Sequence, residues 1–558
     1  MKNRIKIPTI FKLINVQINI RVYLINLVLG LILLFYSIWE IKPVVVEITD
    51  FLGLISHLTT AYWAGFILII SSFIKLYFDK KIESKYIYIL YSLIFGLFIF
   101  SVPIFAEENA RFPWSYYPAG EVKTVLETKY IDTISEYPLI SYRSWPATHI
   151  ISAFIISFAN IKIDFLLKYM PLFWVFFVTL FIFSIGLHFK LSEKQCLLVS
   201  LLFLFSFWEF HNYYGPQYFG YLLYILFLFI LFKYKNEYKD RLFIIITFCT
   251  IVITHLLTAI AVISSFIFSS KYIRSIYERR LRFLLFFLIA FISWHVYLAP
   301  EMLKVGTREL ITQIAERKPL SFFGTTKYEV GILLTRQITH YSRIFYLVFY
   351  TVGMTIAAFL YLTNRVIENN REIIKICFFW LIGILMLFIF RYGESEIDDR
   401  IYILSLIPMI YILILSFNQK VVLVLAILLM IPHLPAHYGS ESNEIIYSSE
   451  LSGDKFFSQT ARLNSYNQYL YAPSPGIRFY NNSMVLFDGF SIEHICSEGK
   501  KHNFSSYYDV KYIMLTKQFN NFLLYSCNLN VLDLGFDFQA KNTNYIYNNG
   551  DFNIYYIK

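Results

Sequence analysis

Charge is scarce in this chain. Only 16% of its 558 residues are Asp, Glu, Lys or Arg, too few to clothe the core of a water-soluble protein of that length, so a soluble globular enzyme is excluded. Cysteine is scarce as well. Of five, Cys196, Cys249 and Cys377 fall inside apolar runs, and only Cys496 and Cys527 lie in the C-terminal region. Those two pair if that region faces an oxidising space and otherwise stay as buried thiols. No small-residue cleavage site follows the basic stretch from Lys2 to Arg21, which argues against a cleavable signal peptide and leaves the first helix as an anchor. Nor is there an internal repeat, which speaks against an inverted-repeat transporter.

What the chain has is hydrocarbon. Hydrophobic residues make up 57% of it and the mean hydropathy is +0.55. Apolar runs of about 18 to 27 residues recur, long enough to cross a hydrocarbon layer roughly 30 Å thick. The net charge of +11 sits in short loops between these runs, which reads as a topology signal rather than as a face for nucleic acid.

Hydropathy predicts spans near 22–39, 52–78, 86–105, 165–187, 195–210, 213–232, 281–299, 342–363, 373–391, 400–416 and 420–433. Strongly basic loops flank 242–268 on both sides, so a single crossing there would break the positive-inside bias, whereas two short helices meeting near Thr254 and His255 restore it. The stretch 147–160 is too short to span and reads as an interfacial or re-entrant helix. The expected fold is a polytopic α-helical membrane protein of about 13 spans, N-terminus inside. Its inside loops hold about 22 Lys and Arg in roughly 70 residues, against about 14 in roughly 110 outside residues before the C-terminal region.

The transmembrane part is expected to cover 1–433, with long outside loops at 106–146 and 300–341. Beyond it, 434–558 turns polar and aromatic, and Met484–Phe487, Val510–Leu515 and Tyr545–Tyr547 read as strands of an extracytoplasmic mixed α/β domain. Tyr545-Ile546-Tyr547-Asn548-Asn549-Gly550 reads as a hairpin. Asn481-Asn482-Ser483 and Asn503-Phe504-Ser505 fit the N-glycosylation acceptor pattern.

Residues able to do chemistry gather at the predicted outside face. Pro103-Ile104-Phe105-Ala106-Glu107-Glu108-Asn109 ends a helix with paired carboxylates at the membrane surface, where they can act as bases. Phe112-Pro113-Trp114-Ser115-Tyr116-Tyr117-Pro118-Ala119-Gly120-Glu121 follows, then Tyr137-Pro138 and Trp145-Pro146-Ala147-Thr148-His149. The short turn Trp208-Glu209-Phe210-His211-Asn212-Tyr213-Tyr214-Gly215-Pro216-Gln217 brings an acid and an imidazole to the same face. Arg391-Tyr392-Gly393-Glu394-Ser395-Glu396-Ile397-Asp398-Asp399-Arg400 adds two arginines, whose planar forks suit phosphate. The polar loop from Arg308 to Arg343 carries Arg336 and His340 without a pattern that assigns them roles. Most of the many aromatic residues read as a membrane-interface belt.

This order of features resembles the GT-C superfamily of membrane glycosyltransferases, which includes protein O-mannosyltransferases, aminoarabinose transferases and oligosaccharyltransferase catalytic subunits. The resemblance implies a polyprenyl-phosphate-linked sugar as donor and a glycan, lipid or protein as acceptor. It places Glu107, with Glu108 beside it, where the O-mannosyltransferases have their catalytic acid, and keeps Glu121 as a second candidate. It makes Glu209 and His211 the second acidic group, and suggests a divalent cation, Mg or Mn, between Glu107 and Glu209. It assigns the donor phosphate to Arg400, His255 and Arg391, and similar archaeal-type members carry a Thr-His at the tip that Thr254-His255 forms. Relatives also carry an Asp-x-x-x-His pattern before the amphipathic segment; here those positions hold Trp114 and Pro118. The competing reading is a non-catalytic transporter or assembly partner of lipid-linked glycans.

Overall fold

The computed structural model describes residues 7–47, 49–82, 84–131, 143–208, 213–235, 237–273, 276–300, 304, 334–389, 397–439, 445–460, 469–471, 510–517, 520, 543–549 and 552–557. Helices dominate it. In chain order they are α1 (Ile7–Ile41), α2 (Thr60–Phe78), α3 (Lys85–Ala106), α4 (Tyr116–Thr128), α5 (Ala147–Ala159), α6 (Ile163–His188), α7 (Glu193–Ser206) and α8 (Pro216–Lys233). There follow α9 (Tyr238–Val252), α10 (Leu256–Ser269), α11 (Arg280–Tyr297), α12 (Leu334–Leu362), α13 (Glu368–Leu385), α14 (Ile397–Ser416), α15 (Gln419–Tyr438) and α16 (Ser448–Thr460).

Nine helical segments among the described residues are long and apolar enough to cross a membrane. The other four expected spans are α7, α9, α10 and α13. The first three have 14 or 15 residues, about 21 to 23 Å at 1.5 Å per residue, which falls short of the hydrocarbon thickness. α13 spends its first turns on Glu368, Arg371, Glu372 and Lys375. The expected run 52–78 also starts too early, because Leu52 and Gly53 take positive φ values of 63° and 58° and lead a 3-10 turn before α2 begins at Thr60.

Within lipid every backbone carbonyl needs a partner, and proline withholds one by lacking an N–H. Pro103 in α3 cannot bond Ile99 O, and the Tyr438 hydroxyl of α15 donates to that carbonyl instead. Pro408 in α14 likewise leaves Leu404 O, which accepts from the Tyr224 hydroxyl at 3.2 Å. The Tyr221 hydroxyl serves Ile403 O at 3.1 Å. Tyrosines thus mend the breaks that prolines make, and in doing so fasten α3 to α15 and α8 to α14.

α7 is sheathed in protein. It opens with a capping box, in which Ser192 Oγ accepts the Gln195 N–H and the Gln195 side chain accepts the Ser192 N–H. Every residue from Cys196 to Ser206 is buried. Its last carbonyls are satisfied by other helices: His433 Nδ1 donates to Phe205 O at 2.9 Å, the Tyr402 hydroxyl to Ser206 O at 2.8 Å and His437 Nδ1 to Trp208 O at 3.2 Å.

α5 matches the expected short helix at 147–160. One face is buried through Thr148, His149 and Ser152, while Phe154 and Phe158 stack on each other and stand exposed, as an interfacial helix would present them. α15 continues past residue 433 to Tyr438. After it come α16 and a four-stranded sheet, β1 (Tyr469–Tyr471), β2 (Val510–Thr516), β3 (Thr543–Asn548) and β4 (Phe552–Ile557), in the order β1-β2-β4-β3. β1 runs parallel to β2, and the other pairs are antiparallel. The hairpin expected around Asn548 is β3–β4. Residues 484–487, both glycosylation tripeptides, Cys496 and Cys527 lie outside the described residues.

Candidate active site

The end of the bundle where α3 stops and α8, α10 and α14 begin collects the polar groups. The α1–α2 connection fixes the end of α3, since the Val44 N–H donates to Ala106 O at 3.1 Å. Lys168, near the start of α6, then places its ammonium on two further carbonyls, Glu107 O at 2.7 Å and Glu108 O at 3.1 Å. With its backbone held twice over, Glu107 turns its carboxylate into the protein, where it is 3% exposed. Arg111 meets it there. Nε bonds Oε2 at 3.3 Å and Nη2 bonds Oε1, so the guanidinium fork covers both oxygens of one buried ion pair. Glu108 points to solvent.

Glu121 lies on the buried face of α4 and pairs with Arg143, whose Nε is 2.9 Å from Oε2. The Arg143 side chain folds over this acid and closes it in. Lys123 on the same helix is pushed below the usual lysine range by burial, with Asp164 and Glu127 opposing.

Arg400 and His255 come together. Both line a cavity of about 160 Å³ with Trp114, Trp145, Tyr213 and Gln217. Three helix beginnings converge on it: Gly215, Pro216 and Gln217 open α8, His255 to Leu257 open α10, and Arg400 sits in the first turn of α14. Unbonded amides and the helix dipole make such starts attractive to anions. The sequence supplies these starts through Gly215-Pro216, with proline at a position where its missing N–H costs nothing, and through the break at Thr254-His255 between α9 and α10.

His255 is buried, with Nδ1 2.9 Å from Thr258 Oγ1. Burial first, and the nearby Arg400 charge second, push its pKa down to about 3, so the ring is neutral at working pH. Gly220 of α8 makes this packing possible: a Cβ there would come within 2.9 Å of His255 Cβ. The Trp145 ring lies 5.8 Å from the imidazole, and the Ala147 N–H donates to Ile253 O at 3.2 Å, which pins α5 to the α9–α10 tip.

Glu107 is not among the residues that line the cavity. The two places are joined by Phe112, next to Arg111, whose ring meets that of Tyr213 at 4.5 Å. Glu209, His211 and Arg391 lie outside the described residues, as does most of the loop from Arg308. Arg343 of that stretch belongs to α12, where Nε donates to Ala436 O at 3.1 Å and the guanidinium lies 5.1 Å over the Trp208 ring.

A divalent cation fits Glu107 poorly. Both of its oxygens already hold a guanidinium, and among the described residues no three His, Cys, Asp or Glu side chains are grouped as a metal site. Sequence reasoning passed over Arg111, although a cation four positions after the key acid was a readable signal. It also missed Lys168, whose role depends on where α6 begins.

No family model matches the chain. No curated protein matches it either. Among solved structures it is similar to the Archaeoglobus fulgidus oligosaccharyltransferase in complex with Zn and sulfate, at 12% identity and TM-score 0.49, over 84% of this chain and 73% of that one. It is also similar to the archaeal oligosaccharyltransferase AglB from the same organism in complex with an inhibitory peptide and a dolichol-phosphate, at 10% identity and TM-score 0.49, over 80% and 72%.

Proposed function

We propose that this chain is a membrane glycosyltransferase that moves a sugar from a polyprenyl-phosphate donor to an acceptor at the outer membrane face. The observation that carries the proposal is the cavity where Arg400, neutral His255 and the first residues of α8 and α10 meet. One fixed positive charge with helix N-termini around it is suited to a phosphate, and its position at the ends of apolar helices leaves the polyprenyl chain in lipid.

In the proposed reaction the acceptor displaces one of the two Arg111 contacts on Glu107, its hydroxyl or amide loses its proton to the oxygen so freed, and it attacks the anomeric carbon. The bond from that carbon to the phosphate oxygen breaks, its electron pair leaves with the polyprenyl phosphate, and the anomeric configuration inverts. Phosphate departs without protonation because Arg400 and the helix starts neutralise it. Arg111 holds Glu107 oriented, and no step is routed through a metal ion.

The test is release of polyprenyl phosphate from a polyprenyl-phosphoryl hexose in membranes containing the protein, comparing the wild type with Arg400→Gln and Glu107→Gln. Both variants should lose release. Arg400→Gln should keep the wild-type melting temperature to within a few degrees, whereas Glu107→Gln leaves the buried Arg111 charge without its carboxylate partner and should melt lower, so its release is read per folded protein below its transition. Full turnover by Glu107→Gln would remove the acid from the mechanism, and full turnover by Arg400→Gln would remove the phosphate site.

A further inference from the structure

We infer that the face of the Trp114 indole turned away from Tyr117 seats a single neutral hexopyranosyl ring, with the Trp145 Nε1–H donating to an oxygen of the bound ligand. This rests on the proposed reading of the cavity as the site of a polyprenyl-phosphate sugar.

Trp114 is 47% exposed. Exposed tryptophans of membrane proteins usually mark the interface belt, but this one lines the same cavity as Arg400 and His255. Its indole stacks on Tyr117 at 5.4 Å with 22° between the planes, and Tyr117 is itself buried. The lower face is therefore occupied and the ring is held in place before any ligand arrives, which lowers the ordering cost of binding. Among the described residues no other ring packs on Trp114. A pyranose presents a flat face of C–H groups to such a surface and keeps its hydroxyls at the rim.

Trp145 supplies the second observation. Its side chain is buried at 7% exposure, it lines the cavity, and its Nε1–H has no hydrogen-bond partner among the described residues. Buried indole N–H groups normally find an acceptor, and leaving one without is costly. An oxygen of a ligand in the cavity provides it. Size and charge narrow the ligand further. A cavity of about 160 Å³, near the roughly 150 Å³ that accommodates one benzene ring, has no room for a chain of sugars. Among the described residues Arg400 is the charged side chain of the lining, with His255 neutral; the phosphate uses that charge, and the described lining offers no second one to recognise an acidic sugar.

Binding to the purified full-length protein in detergent tests this, with farnesyl phosphate and its mannosyl and glucosyl esters as probes. At least one ester should bind the wild type about five- to tenfold more tightly than farnesyl phosphate, the upper range for one aromatic stacking contact. Trp114→Ala should erase that preference and leave farnesyl phosphate affinity within about twofold. Trp114→Phe should keep most of it, and Trp145→Phe should weaken ester binding without disturbing the fold. Should Trp114→Ala aggregate, Trp114→Gln is read by the same criterion. A wild type with no preference for either ester, or a preference that survives in Trp114→Ala, overturns the subsite; if farnesyl phosphate still binds in an Arg400-dependent way, the donor reading stands alone. Loss of Arg400-dependent farnesyl phosphate binding overturns both.

Discussion

The guanidinium of Arg111 covers both carboxylate oxygens of Glu107, and the two side chains are 6% and 3% exposed. Removing one member of such a pair strands the other charge out of water. Arg111→Ala should therefore destabilise the protein by about 3–5 kcal/mol, measured as a lowered unfolding midpoint in detergent. A loss below about 1 kcal/mol, the range of an exposed pair, would mean the pair is solvated. Glu107→Gln/Arg111→Met, which removes both charges, should recover much of the stability and none of the proposed transfer.

The same fork bears on metal dependence. Because a cation already sits on both Glu107 oxygens, sugar transfer should continue in excess EDTA, and Mn²⁺ titration followed by electron paramagnetic resonance should find no site that Glu107→Gln abolishes. Stoichiometric Mn²⁺ binding lost in that variant would show that the metal displaces Arg111.

Much of this arrangement was legible in the sequence, for a physical reason in each case. Bilayer thickness translates run length into spans, so α3, α6, α8 and α15 were visible from composition. Basic loops on both sides of 242–268 revealed the break at Thr254-His255, and two adjacent asparagines marked the β3–β4 hairpin. Long-range packing was not legible. Nothing local says that Tyr438 will serve the carbonyl that Pro103 abandons, 339 residues away from Ile99, or that Arg143 will cover Glu121. Run length does not separate a helix sheathed in protein, such as α7, from one sheathed in lipid, because the two are equally apolar.

Tyr224→Phe tests the mending of the proline breaks. It leaves Leu404 O without its donor inside the bundle, and also removes the acceptor of the Trp380 indole N–H at 2.6 Å. A loss of about 1–3 kcal/mol is expected, read from thermal unfolding. Replacing Pro408 by Ala in the same background restores a backbone donor for Leu404 O and should return part of that loss; no recovery would count against this role of the tyrosine.

Acid should expose His255. Its pKa of about 3 in the folded protein compares with about 6.5 for an unfolded chain. Between these values the unfolded state takes up a proton that the folded state refuses, so stability falls as pH drops from about 6.5 toward 3 and is unaffected above it. The melting temperature of the wild type should decline more steeply from pH 7 to pH 4 than that of His255→Asn. Parallel declines would assign the acid sensitivity to other groups.

Gly220→Ala probes the packing behind that histidine. A methyl group 2.9 Å from His255 Cβ must push α8 and α10 apart, at about 1–3 kcal/mol, and displace two of the three helix starts that surround the cavity. Farnesyl phosphate affinity should fall together with stability. Unchanged affinity would show that the cavity tolerates the shift.

The enclosure of α7 also constrains how the protein is made. With 14 residues it is too short to settle in a bilayer alone, and the groups that finish its C-terminal carbonyls, on Tyr402, His433 and His437, are synthesised about two hundred residues later. During translation α7 must wait beside α6 with its last turn open to water or to the insertion machinery. Only when α14 and α15 arrive does it become a membrane-buried helix, so the last spans to emerge from the ribosome complete the middle of the fold.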